Sequence, residues 1–182
     1  MLIRSAVFKL AASVAAIVFL NAPLAAQVSG GPPPANPADV SSVGAIVTAV
    51  YDVISGRAGE PRDWDRMRSL FVPGARLIPT FRDSTGGRAL RVQTLEDFIA
   101  AADGAFVRNG FFERELYRVT EQYGSIVHLF STYDSKRTPE GEVFARGINS
   151  FQLLNDGKRW WVVTIFWQGE SPDNPIPAKY LR

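Results

Sequence analysis

The 182-residue chain has no cysteine and one histidine, His128. The first absence removes disulfides, thiolate metal sites and cysteine nucleophiles together. The second removes zinc sites built on several imidazoles. A Gly-x-Ser-x-Gly elbow, a Gly-x-Gly-x-x-Gly turn and a phosphate loop are also missing, which sets aside hydrolase-elbow, dinucleotide and phosphate-loop chemistry. No motif calls for a cofactor or a metal. Neither sign of charge dominates, since Lys+Arg 20 against Asp+Glu 18 leaves a formal +2. With 46% hydrophobic, 21% charged and 12% aromatic residues, the chain is too apolar for intrinsic disorder and too broken by charge for a membrane bundle.

A leader pattern opens the chain. Arg4 and Lys9 flank the start of an 11-residue apolar run at 10–20, and small residues follow, with Leu24 and Ala26 at the −3 and −1 positions. This is the layout of a secretory signal peptide over residues 1–26, cut before Gln27. The run falls short of the about 20 residues a transmembrane helix needs. Removing residues 1–26 takes away Arg4 and Lys9 and brings the formal +2 to neutrality. The pI near 9.1 therefore belongs to the leader, and no nucleic-acid partner is expected. The expected location is the periplasm or the medium, with no membrane span.

Residues 27–38 form a Gly/Pro-rich spacer. From Asp39 the pattern turns helical: Val40, Val43, Val47, Val50, Tyr51 and Ile54 form one stripe at spacings of three and four. Asp39 is the expected N-cap and Gly56 the expected stop. A short helix fits 63–71, a strand 75–81, and a polar turn 83–87. A third helix starts at Thr94, with Asp97 completing a capping box. After Asn109-Gly110 the period changes to two. Strand-like runs cover 111–123, 125–133, 142–154 and 159–168, the last two joined by Asn155-Asp-Gly157, a strong hairpin signal. Helices first and a meander afterwards means α+β. Residues 39–170 are the expected domain, and 171–182 a Pro-rich tail.

The order of helix, helix, strand, helix and long meander resembles the nuclear transport factor 2-like superfamily, which includes the SnoaL-like and ketosteroid-isomerase-like proteins. The residues that carry the resemblance are Thr48-Ala-Val-Tyr51 on the first helix, Asp63-Trp-Asp-Arg-Met-Arg-Ser-Leu-Phe71 leading into Pro73-Gly-Ala-Arg-Leu77, Phe144-Ala-Arg-Gly-Ile-Asn-Ser-Phe-Gln152, and Arg159-Trp-Trp-Val-Val-Thr-Ile-Phe-Trp167. The resemblance implies a cone-shaped half-barrel, a curved antiparallel sheet wrapped around the N-terminal helices with a pocket at its open end.

It also implies site residues. In the ketosteroid-isomerase branch a helix-one Tyr and a penultimate-strand acid donate to a developing enolate, and a first-strand carboxylate moves the proton. Tyr51 and Asn149 stand at the donor positions, and an amide can still donate. Each is equally a buried polar residue bracing the core. Near Leu77-Ile-Pro79, where the proton-moving acid would fall, there is none, which weighs against that chemistry. His128, mid-strand, is the candidate catalytic residue, histidine being the residue type that titrates near neutrality. Trp167 is the expected pocket wall. Glu113 and Glu115 share a strand face with Tyr117 and would serve acid–base work if buried together. Arg114 and Arg118, opposite them, favour a solvated, charge-laced strand instead.

The resulting expectation is an exported protein binding a small, mostly apolar molecule through Tyr51, Asn149 and Trp167. One alternative is a lyase or isomerase acting on a polyketide- or steroid-like carbonyl compound, with His128 carrying the proton. The other is a non-catalytic interaction module. Trp160, Val162 and Phe166, read as one outward face of the last strand, predict a homodimer through the sheet, unless the tail folds over them.

Overall fold

Residues 31–182 are described by the computed structural model. The leader and its cleavage point lie outside the described residues. Ser42 starts the first helix: its hydroxyl accepts from the Ala45 amide at 3.0 Å, and α1 (Val43–Ile54) follows. The expected cap, Asp39, sits one turn earlier in a short 3-10 segment (Pro37–Val40), where Arg66 grips its carboxylate from Nε at 2.8 Å and Nη2 at 3.0 Å. A guanidinium from a later helix thus replaces the backbone amide that a cap would bind. Asp63 caps α2 (Trp64–Leu70) through the Arg66 amide. The strand β1 (Phe71–Arg82) starts at once and turns back as β2 (Arg88–Leu90). Thr94 and Asp97 form the capping box of α3 (Leu95–Asn109).

Four long strands complete the chain: β3 (Phe112–Tyr123), β4 (Ile126–Lys136), β5 (Val143–Asn155) and β6 (Trp160–Gly169). The sheet order is β2-β1-β6-β5-β4-β3. From β3 to β6 the pairing is antiparallel, but β1 lies parallel to β6, so the sheet is mixed where an antiparallel one was expected. The helices pack on its inner face, α1 against β3 and β6 and α3 against β1. Ile46 and Val47 of α1, Phe71, Leu129, Phe151, Leu153 and Val162 are buried to 2% exposure or less and form the centre of the core. This is an α+β cone, with helices packed on one side of the sheet. Among the described residues no helix is long and apolar enough to cross a membrane.

Two register shifts change which residues face inward. One lies between Glu115 and Tyr117 on β3 and brings Arg118 opposite Ser131, on the face of Glu113 and Glu115. The other, between β5 and β6, pairs Gln152 with Thr164 but Leu153 with Val162. One extra residue reverses the alternation beyond it. Trp160 and Val162 therefore face the core together with Ile165 and Trp167, and only Phe166 of the expected outward trio is exposed. The tail crosses the outer face elsewhere: Thr132 Oγ1 donates to the Tyr180 carbonyl at 2.6 Å, and the Tyr180 ring lies 5.5 Å from Phe130.

Arg62 joins the helices from within. Its guanidinium donates to the carbonyls of Ile54 at 2.9 Å, Gly56 at 2.7 Å, Glu60 at 2.5 Å and Phe106 at 3.4 Å. Ile54 and Phe106 lie in the last turns of α1 and α3, where orphan carbonyls and the helix dipole both favour a cation.

Candidate active site

A cavity of about 200 Å³ opens between α1, α3 and the inner face of the sheet. Its walls are apolar and aromatic: Val50, Ile54, Met67, Leu77, Phe98, Phe106, Phe111, Phe151, Ile165 and Trp167. Four polar residues interrupt them, namely Tyr51, Glu113, Tyr133 and Asn149. Phe106 and Phe111 stack at 4.3 Å, and Phe98 meets Trp167 edge-on at 6.3 Å, so ring packing fixes the wall geometry.

The fold brings Tyr51, Asn149 and Trp167 to this one cavity from α1, β5 and β6. Tyr51 lies on the buried stripe of α1, and Asn149 pairs with Trp167 across the last two strands. Asn149 Nδ2 donates to Tyr51 Oη at 3.0 Å, and Tyr51 Oη lies 2.7 Å from Ser131 Oγ. Burial first, and the negative charge of Glu113 second, push the Tyr51 phenol well above its ordinary range.

His128 is elsewhere. Strand alternation puts Leu129, Ser131, Tyr133 and Ser135 of β4 inward and His128 outward. Its Nδ1 meets Gln152 Nε2 at 2.5 Å on the outer face, beside the Phe130 ring at 5.1 Å. The expected proton carrier is thus on the far side of the sheet from the cavity.

A carboxyl group is in the cavity instead, at a position read from the sequence as solvated. Glu113 Oε2 accepts from Ser135 Oγ at 2.8 Å, and Oε1 accepts from Asn149 Nδ2 at 3.3 Å. The residue as a whole is part-buried, but its carboxyl is desolvated, and that burial raises its pKa from 4.5 to about 7 against the two hydrogen bonds. Its neighbour Glu115 turns to Arg118, which reaches its two oxygens from Nε at 2.9 and 3.0 Å. Arg114, by contrast, pairs with Asp134 on the outer face. The two-residue period had put Glu113 and Glu115 on one face. The shift at Leu116 then brought Arg118 round to Glu115, which left Glu113 without a cation.

Tyr133 carried no sequence signal beyond its place two residues from Ser131 and Ser135. Its ring fits because it faces Gly147 on β5: a Cβ there would come within 2.5 Å of the Tyr133 hydroxyl. Burial, with Glu113 nearby, pushes this phenol up as well. Among the described residues no group hydrogen-bonds its hydroxyl. Tyr133 Oη is therefore the polar atom of the cavity wall still open to a guest, beside a carboxyl poised to gain or lose a proton.

These features define a nuclear transport factor 2-like fold with a mostly apolar cavity in its cone. Solved structures agree on the fold. The chain is similar to an NTF-2 like protein of unknown function from Silicibacter pomeroyi DSS-3, at 17% identity and a TM-score of 0.51, over 71% of this chain and 94% of that one. It is similar also to a protein from Kribbella flavida, at 12% identity and a TM-score of 0.51, over 69% of this chain and 86% of that one. No protein-family profile matches the sequence, and no curated protein does.

Proposed function

We propose that the cavity binds a small, mostly apolar molecule carrying a carbonyl-type oxygen, and that Glu113 moves a proton on it. The observation that carries this reading is a carboxyl group without a cation partner set among aromatic walls, where burial pushes its pKa up to about 7. A general base works best when its pKa lies near the working pH, and burial is the ordinary way to place it there. Mostly apolar walls with a few convergent polar groups are what a small-molecule site looks like. In this reading Glu113 takes a proton from the carbon next to the carbonyl, Tyr133 Oη donates to the oxygen as charge develops on it, and the protonated Glu113 returns the proton to the product. This is isomerase-type chemistry, with Glu113 in the role first expected of His128. The walls supply affinity for the rest of the molecule, with Trp167 among them.

The test uses small cyclic ketones in heavy water, with exchange at the carbon next to the carbonyl followed by proton NMR. Exchange should speed up as pH rises through about 7 and be lost in Glu113→Gln. Native mass spectrometry of protein purified from its own source should show a retained small molecule. Exchange at the buffer rate for every ketone, together with a bare protein mass, would discard the reading.

Two further parts of the reading rest on sequence or surface. Export with a mature start at Gln27 is supported by the basic residues and the 11-residue apolar run of the leader, and N-terminal sequencing of exported protein checks it. A homodimer through the outer sheet face is supported by exposed Phe166, with Leu90 and Val92 near it. Light scattering on wild type and Phe166→Glu tests it, and a monomer at every concentration would count against it.

A further inference from the structure

Outside the cavity wall, the Glu115–Arg118 ion pair begins a chain of hydrogen bonds that ends at Glu113. The direction of each bond follows from the one before it. Arg118 Nε and Nη2 both donate to Glu115, and a carboxylate can only accept. Glu115 Oε1 also lies 2.6 Å from Ser131 Oγ, so the Ser131 proton points at Glu115. Ser131 Oγ can then only accept from Tyr51, 2.7 Å away, and the Tyr51 proton is used there. Tyr51 Oη must in turn accept, and its remaining partner is Asn149 at 3.0 Å, which has to present its NH₂. The same Nδ2 lies 3.3 Å from Glu113 Oε1. Serine, tyrosine and asparagine could each be turned round in isolation. Tied to a carboxylate at one end, they cannot.

We infer that Glu115 and Arg118 are positioning residues for Glu113: they fix the direction of the Ser131–Tyr51–Asn149 chain, so that the Asn149 amide turns an N–H, and not its carbonyl, toward the Glu113 carboxyl. Tyr51 is then a strut whose proton is committed, and the open hydroxyl of the cavity is Tyr133. The inference rests on the reading of Glu113 as the proton carrier for its use, but not for its test. The other groups that face Glu113 are Tyr51 from α1, Tyr133 and Ser135 from β4, and Asn149 from β5, with Asp134 behind the strand adding repulsion. A substitution at position 115 or 131 replaces none of them, and acts on Glu113 only through the direction of the Tyr51 and Asn149 hydrogen bonds.

The experiment follows the Glu113 side-chain carbonyl by ¹³C NMR in glutamate-labelled protein, with the resonance assigned by its loss in Glu113→Gln. Ser131→Ala removes the acceptor that holds the Tyr51 proton without changing any charge. Tyr51 then donates to Asn149, the amide turns its carbonyl inward, and the Glu113 midpoint should rise by about one pH unit, a tenfold gain in proton affinity. Glu115→Gln should raise it likewise, by releasing the head of the chain. Electrostatics alone forecasts the opposite sign for this variant, because it leaves the Arg118 charge unbalanced and so favours the Glu113 carboxylate.

A rise in both folded variants supports the inference. An unchanged or lowered midpoint in Ser131→Ala overturns it, and a rise in Ser131→Ala with a fall in Glu115→Gln removes the ion pair from its head. The proton-exchange assay stands apart from this titration. A chain that sets the Glu113 midpoint in a protein that exchanges no ketone would leave the inference and remove the functional reading, and the converse pattern would do the reverse.

Discussion

The two faces of β4 make the sharpest contrast in the molecule. Inward, Ser131, Tyr133 and Ser135 meet Tyr51, Glu113 and Asn149 at the cavity, and their polar atoms act on one another. Outward, His128, Phe130, Thr132 and Asp134 meet Gln152, the tail and Arg114. The strand is one sequence with one backbone. Alternation alone decides which residues reach the cavity and which are paired off on the other face of the sheet. The lesson concerns the choice of candidates: the residue type best suited to proton transfer in water, histidine, is on the ordinary side, and a glutamate becomes suitable because burial changes it.

The contrast can be tested by substitution. The largest effect should come from the inner packing. Phe151→Ala, at a fully buried position, should cost about 3–5 kcal/mol in urea unfolding, while Phe166→Ala on the outer face should cost well under half of that. Equal losses would erase the distinction between the faces.

Next is the charge of Glu113. Its folded pKa of about 7 exceeds its ordinary 4.5, so between those values the folded chain holds more protons than the unfolded one. Stability from this group is therefore fully present below about 4.5 and is lost as pH rises through about 7. The loss at alkaline pH is of the order of 3 kcal/mol. Glu113→Gln should flatten that slope and be the more stable protein above neutrality, as read by denaturant midpoints across the range. A slope that survives the substitution would place the titration elsewhere.

The two tyrosines should then separate. Tyr51→Phe breaks a buried chain and should cost about 1–3 kcal/mol. Tyr133→Phe removes a hydroxyl with no partner and should change stability by less than about 0.5 kcal/mol, with its effect falling on ketone exchange and ligand affinity. The smallest effect is expected of His128→Ala, within about 0.5 kcal/mol in stability and without change in the pH profile of ketone exchange. A pH profile that depended on His128 would reverse the assignment of the proton carrier.

What the sequence disclosed was what short-range chemistry decides. Thr94 and Asp97 announced α3 because a capping box is complete within four residues, and the stripe from Val43 to Ile54 announced the buried side of α1. Tyr51, Asn149 and Trp167 could be assigned to one cavity by resemblance and alternation. The rest depended on partners distant in sequence. Asp39 has the sequence position of a cap, but Arg66, 27 residues on, holds its carboxylate. A single extra residue near Leu116 carried Arg118 to Glu115, and another near Val163 carried Trp160 and Val162 into the core. A period-two reading cannot locate a bulge, and beyond one every residue is assigned to the wrong face. Tyr133 stayed hidden because its fit depends on Gly147 on the neighbouring strand.

Arg62 gives the molecule an internal fastening that ionic strength hardly reaches. The pairs that Arg66 and Arg68 make with Asp52, Asp65 and Glu96 lie at the surface, where added salt shortens the range of attraction to a few ångströms. Arg62 has no carboxylate to lose. It is held by fixed carbonyl dipoles at the ends of two helices, out of reach of mobile ions. In concentrated brine the outer side of α2 would loosen first, and the α1–α3 junction beside the cavity would keep its shape.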